Sequence, residues 1–261
     1  MHAKWFSELW RYRELVYFLA WRDVKVRYKQ AALGAAWAIL QPLLTMLVFT
    51  LLFSRLPGMQ TDGIPYPVFA FCGLVLWIYF SSVVAQGGQS LLTNSNLITK
   101  VYFPRIALPL SSAISGLIDF SVGLICLIGL IIYYGVAPGW SLLWVPVFLA
   151  GLIVLAVGTS LLLAALNVWY RDIKYAIPFL IQLWFFVTPI IYPTTIIPER
   201  FHSLVALNPL VGIIEGFRAC VFPGRQLDPM LTATSFAGTA AIFLVGLVYF
   251  WKTERAFADV I

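Results

Sequence analysis

Residues 21–56 read WRDVKVRYKQAALGAAWAILQPLLTMLVFTLLFSRL, a charged run from Trp21 to Lys29 followed by an uncharged stretch from Gly34 to Ser54 and closed by Arg55. That stretch is about 21 residues, and at about 1.5 Å per residue a helix of it reaches roughly 32 Å, enough to cross a hydrocarbon core of about 30 Å. The segment reads as a membrane span on a basic foot. Within the foot, Tyr17, Ala20, Trp21, Val24 and Tyr28 fall on one helical stripe, and Arg22, Lys25 and Lys29 gather along its flank. Asp23 and Arg27 are four residues apart and are expected to pair along the other flank. An aromatic stripe beside a cationic flank suits a helix lying in the headgroup layer, rings in the acyl boundary and cations at lipid phosphates. The alternative is a solvated juxtamembrane helix that only sets topology.

Composition supports the same class. Of the 261 residues 61% are apolar and only 11% charged, far from the usual soluble mixture, so the chain is expected to be an all-α integral membrane protein. Its net charge of +6 does not point to nucleic acid, because the cations sit in short segments flanking apolar spans. Cys72, Cys126 and Cys220 form neither a disulfide framework nor a metal site by number or context. No cleavable signal peptide is expected, since Lys4, Glu8, Arg11, Arg13 and Glu14 stand where its apolar region would be.

Five further spans follow the first at about 34–56: about 67–85, 108–133, 142–169, 176–192 and 233–251. A cytoplasmic segment with an interfacial helix, 1–33, precedes this six-span domain of 34–251, and a tail, 252–261, follows it. The polar stretch after the second span keeps Leu91, Leu92, Leu97 and Ile98, which suggests a short surface helix ended by Pro104. Between the last two spans, 198–222 carries apolar residues on both sides of Asn208-Pro209, a pair that stops one helix and starts the next. A re-entrant broken-helix pair is expected there, shielded by protein because its interrupted backbone cannot face lipid. Thirteen of the 17 lysines and arginines fall on the side of the termini, so both termini are expected in the cytoplasm.

Three polar or aromatic features stand out from this frame. Asp119 is the one formal charge deep in a span, where an acid costs about 2.5–3.5 kcal/mol, and it reads as a helix–helix hydrogen bond or as a proton or ion site. Glu215 and Arg218, three apart on the second short helix, read as a surface ion pair or as a latch. Trp184, Phe185 and Phe186 sit mid-span rather than at a belt, as core packing or as a sliding face for sugar C–H groups. Catalysis finds no support: no HExxH, CxxC or GxSxG occurs, and no GxxxxGK[ST] loop for nucleotide phosphates.

Arg27-Tyr28-Lys29, Leu33-Gly34-Ala-Ala-Trp37 and Gln41-Pro42 resemble the start of the first span in ABC type-2 permeases that export polysaccharides, the O-antigen, capsule and teichoic-acid group. The resemblance continues through Gly73-Leu-Val-Leu-Trp77, Asn96 to Arg105, Asn167-Val-Trp-Tyr-Arg171-Asp172, Thr188-Pro189-Ile-Ile-Tyr192 and Asn208-Pro209 leading to Glu215-Gly-Phe-Arg218. It covers nearly the whole chain in order. It implies two copies forming one conduit in the cytoplasmic (inner) membrane and two copies of a separate ATPase subunit. The chain itself holds no cofactor; ATP and Mg²⁺ belong to that partner. The cargo is a lipid-linked glycan.

By the same resemblance, ATPase docking and an inner gate fall to Arg22, Lys25, Lys29, Asn96, Lys100, Arg105, Arg171 and Asp172, with Asn208, Pro209, Glu215 and Arg218 at an outer gate. Trp37, Phe49, Phe53, Trp184 and Phe185 are the expected channel aromatics, placed by span and position alone. A pyrophosphate head is expected to meet cations near the inner interface, such as Arg22, Lys25 or Lys100. Two rivals share parts of this picture: a type-2 exporter of a small molecule or drug, with a closed apolar pocket, and an ion-coupled transporter using Asp119. A membrane-embedded enzyme of lipid or glycan metabolism would need convergent acids or histidines, which the sequence lacks.

Overall fold

The computed structural model describes residues 10–29, 36–53, 61, 63–136, 140–170, 172–222 and 224–257. They form ten α-helices: α1 (Arg13–Lys29), α2 (Ala36–Phe53), α3 (Tyr66–Thr93), α4 (Ser95–Lys100), α5 (Ala107–Tyr133), α6 (Val145–Trp169), α7 (Ile173–Val187), α8 (Glu199–Ala206), α9 (Pro209–Val221) and α10 (Pro229–Thr253). No strand occurs among the described residues.

α3 is the axis of the bundle. It is apolar on every side, and residues Val68 to Leu76 are all buried, as a helix hydrophobic all round should be. α5 and α6 pack along it, α2 and α7 flank it, and α10 lies on the far side of α6. The α6–α10 contact is close enough to exclude side chains: a Cβ on Gly158 would lie 2.5 Å from Phe243 Cα, and one on Gly246 would strike the Gly158 carbonyl. Without water to drive helices together, this backbone approach is how spans gain packing energy.

Among the described residues five helices are long and apolar enough to cross a bilayer, namely α2, α3, α5, α6 with the 3-10 turn before it, and α10. The fifth expected span, 176–192, is shorter than anticipated. α7 has 15 residues, about 22 Å, and stops at Val187 because Thr188 turns its hydroxyl back to the Trp184 carbonyl (2.7 Å) ahead of Pro189. The second expected span runs longer, to Thr93, so Leu91 and Leu92 belong to α3 and the separate surface helix shrinks to α4.

The broken pair is present. α8 and α9 meet at Asn208-Pro209 with a bend of 91°. Asn208 N-caps α9 by accepting from Leu210 N at 3.2 Å, and Pro209 occupies the first helical position, where a missing N–H costs nothing. α9 is buried over almost its whole length against α10, α6 and α3, which keeps the interrupted backbone away from lipid.

α1 docks on α5. Its inward stripe is Val16, Leu19, Ala20 and Val24, whereas Tyr17 and Trp21, expected to share the apolar face, are exposed. The inward stripe, which meets α5, shares Ala20 and Val24 with the aromatic stripe expected to face lipid and is otherwise a different face of α1.

Candidate functional site

Between α2, α3, α5 and α7 lies an open groove of about 940 Å³. Its wall mixes hydroxyls and amides, including Gln41, Thr45, Ser81 and Ser82, with aromatic rings, including Trp37, Trp77, Tyr79 and Phe120. At the α1 end the groove is closed by a polar cluster. Arg27 Nη1 donates to Asp119 Oδ2, and the Tyr28 hydroxyl donates to Asp119 Oδ1. Arg27 Nη2 donates to Gln86 Oε1 at 2.6 Å, and Gln86 Nε2 donates to Ser82 Oγ at 2.6 Å.

Asp119 thus has a charged partner, brought by the foot helix rather than by another span. The expected Asp23–Arg27 pair does not form: Asp23 takes Arg22 at 2.8 Å, and Arg27 is drawn to the acid in α5. The physical reason is dielectric, since an unpaired carboxylate in the bundle costs more than one near water. The pair is only partly covered, with side-chain exposures of 27% for Arg27 and 23% for Asp119. Its charges cancel. A further anion beside the pair would therefore meet no net attraction.

Beyond the groove, toward α8 and α9, an aromatic string joins three helices. Phe49 stacks on Phe185 (6.1 Å between centroids) and tilts against Phe53 (5.9 Å). Trp77 meets Phe185 edge-on at 5.5 Å, and Phe80 meets Trp184 edge-on at 5.0 Å. Of the five expected channel aromatics, Trp37 and Phe185 line the groove, while Phe49, Phe53 and Trp184 belong to this string. Trp77, which sequence position left out, belongs to both.

The string runs directly into the break between α8 and α9. Trp184 Nε1 donates to Asn208 Oδ1 at 3.0 Å, and Asn208 Nδ2 donates to Thr188 Oγ1 at 2.9 Å. Three of the four residues expected at an outer gate, Asn208, Glu215 and Arg218, therefore sit in two networks. The second is centred on Arg218, which is completely buried. Its guanidinium donates to the carbonyls of Pro189 (2.9 Å), Phe69 (3.2 Å) and Ile190, and to Glu215 Oε1 at 2.7 Å. It also lies 3.7 Å from the Phe69 ring centroid, and Arg225 donates to the other Glu215 oxygen at 2.8 Å. The surface ion pair expected from the i, i+3 spacing is instead a buried clamp on three chain segments.

At the opposite end, Lys29, Asn96, Lys100 and Asp172 are exposed, and Lys25 lies 5.7 Å from the Trp21 ring centroid. Arg105 is engaged: its backbone N–H donates to Glu254 Oε1 at 2.9 Å and its guanidinium donates to the Glu254 carbonyl. Sequence reading missed Glu254 and Gln86, whose partners Arg105 and Arg27 lie 149 and 59 residues away in the chain. Arg171 lies outside the described residues.

The profile of the ABC-2 type transporter family matches residues 14–222. The chain is 35% identical over 255 residues to the O-antigen export system permease protein RfbA of Myxococcus xanthus, covering 96% of this chain and 94% of that protein. It is 30% identical over 252 residues to an RfbA of Klebsiella pneumoniae, covering 95% of each. To the polysialic acid transport protein KpsM of Escherichia coli it is 25% identical over 252 residues, covering 90% of this chain and 92% of that protein.

Proposed function

The chain belongs to the ABC-2 type transporter family, and from that premise we propose that it is the membrane-spanning permease of an ATP-driven polysaccharide exporter. Two copies form the conduit in the cytoplasmic membrane, with both termini inside. The cargo is a lipid-linked glycan, and a separate subunit on the cytoplasmic side binds and hydrolyses ATP. The observation that carries this reading is the groove, whose hydroxyls, amides and rings suit a polar chain with apolar C–H faces and would be of no use to lipid.

The mechanism follows from two opposed demands. A glycan cannot cross hydrocarbon, and a wide open pore would dissipate ion gradients, so the path must admit sugars when driven and close when empty. Rings about 5–6 Å apart across α2, α3 and α7 meet one another by contact alone, so they can part without breaking bonds between them. The basic end, with exposed Lys29, Asn96, Lys100 and Asp172, faces the ATPase, and movement of α1 reaches the groove through Arg27 and Asp119.

A drug exporter would require a closed apolar pocket, whereas this groove is open and carries Gln41, Thr45, Ser81, Ser82 and Gln86 on its wall. The test is reconstitution. The chain purified with its companions should bring a nucleotide-hydrolysing subunit with it. In vesicles the pair should move a lipid-linked glycan only with ATP, and the isolated chain should move none. Export by the isolated chain under an ion gradient would overturn the proposal.

A further inference from the structure

We infer that the cluster of Arg27, Asp119, Tyr28 and Gln86 is a recognition site for an uncharged sugar ring of the cargo, Asp119 accepting from ring hydroxyls while Arg27 and Gln86 donate to them. The inference rests on the export reading and adds to it the place and the chemistry of first contact. Three observations carry it.

The first is charge. Arg27 and Asp119 are the two formal charges on the groove wall, they touch, and they cancel. A phosphoryl head finds no net positive charge there, because the guanidinium is already engaged by a carboxylate, whereas a neutral polyol needs none. The cations that suit a phosphoryl group, Arg22 and Lys25, are not on that wall. The head group and the sugar are therefore separated, one outside the groove and one within.

The second is the pairing of donors and acceptors. A sugar hydroxyl both gives and takes a hydrogen bond, and the cluster offers a carboxylate, an amide and a guanidinium within one connected set. These groups also bond to one another, which holds them together at the groove's end. The third is the surroundings: Trp37 and Trp77 line the same groove, and Trp37 is exposed there as an apolar surface for ring C–H groups. Its volume of about 940 Å³ lies within the range of small-ligand clefts and exceeds the needs of a single ion.

The test uses the full permease with its ATPase companion in lipid nanodiscs, carrying Ser81→Cys on the groove wall as a reporter. Modification of that thiol by a maleimide is followed by peptide mass spectrometry, which separates it from the native cysteines. Three probes are compared: a farnesyl disaccharide without phosphate, farnesyl pyrophosphate without sugar, and farnesol. The disaccharide should slow modification fivefold or more, and the other two less than twofold.

Asp119→Asn should raise the half-protecting disaccharide concentration about tenfold. The paired change Asp119→Asn with Arg27→Gln leaves no charge unpartnered, so it remains interpretable if the single variant fails to fold, and it should show the same loss. Protection by farnesyl pyrophosphate equal to that by the disaccharide would overturn the inference, as would protection undiminished in the paired variant. Glycan-stimulated ATP hydrolysis without protection at position 81 would sink this site and leave the export reading standing. Absence of that stimulation would sink the export reading itself.

Discussion

Arg218 has no exposed surface, yet its charge is met by one carboxylate and three backbone carbonyls, two of them 28 and 29 residues away in sequence and one 149 residues away. Glu215 is shared with Arg225, so the clamp holds the start of α3, the segment after α7, and α9 in one arrangement. A lysine has the charge but lacks the planar fork. Arg218→Lys should therefore cost about 3–5 kcal/mol, the scale of a broken buried pair, read as a marked fall in thermal unfolding midpoint in detergent. The same clamp explains Gly73. A Cβ there would lie 2.5 Å from the Ile190 carbonyl oxygen and 2.6 Å from Arg218 Nη2, so Gly73→Ala should destabilise to a similar degree although it adds one methyl. An unchanged midpoint for Gly73→Ala would mean that α3 and the 190 region are not held together in the folded protein. The sequence exposes the Glu215/Arg218 spacing, but spacing cannot show that an arginine's remaining donors go to carbonyls contributed by distant segments.

Helices were legible where hydropathy alone decides them. α2, α5 and α10 begin and end within a few residues of the expected spans, because an uninterrupted apolar run has no other stable state in lipid. α3 departs from expectation at Gln86-Gly-Gly-Gln, where the second span was expected to have ended and the helix instead runs on. Each glycine costs a helix about 1 kcal/mol, but here close packing decides: a Cβ on Gly87 would lie 2.7 Å from Ser160 Cβ, and one on Gly88 would lie 3.1 Å from Ile177. α7 departs at its other end, where Thr188 and Asn208 replace a last helical turn with side-chain bonds. Those bonds make Trp184 a joint between the aromatic string and the α8–α9 break. Trp184→Phe keeps the ring and loses the N–H, so it should cost only about 0.5–1.5 kcal/mol in stability. It should raise passive leakage of a small dye from vesicles in the absence of ATP. Asn208→Ala, which also removes the α9 cap, should leak more and lose about a further 1 kcal/mol. Tight vesicles from both variants would detach this joint from closure.

A single copy is an incomplete solution for a bilayer. Pro42 is the one buried residue of α2 and Ile177 the one of α7, although these two helices border the groove. Large side chains such as Leu44, Leu51, Phe179 and Phe186 stand exposed on them. Lipid satisfies those side chains, and a second copy, as proposed above, would cover the open side of the groove. The outer faces of α5 and α10 expose Ile125, Ile128, Leu244 and Val245 with no groove behind them, as surfaces facing lipid do. Single cysteines placed in a background without Cys72, Cys126 and Cys220 distinguish the two kinds of face. Oxidation should give disulfide-linked pairs at some of Leu44, Leu51, Leu183 and Phe186, recurring every three or four residues along α2 or α7. It should give none at Ile125, Ile128, Leu244 or Val245, and ATP-driven export should stop in the linked pairs and return on reduction. Crosslinks confined to α5 or α10 would put the partner on the wrong side of the bundle, and the groove would then have to be covered by something other than a second copy.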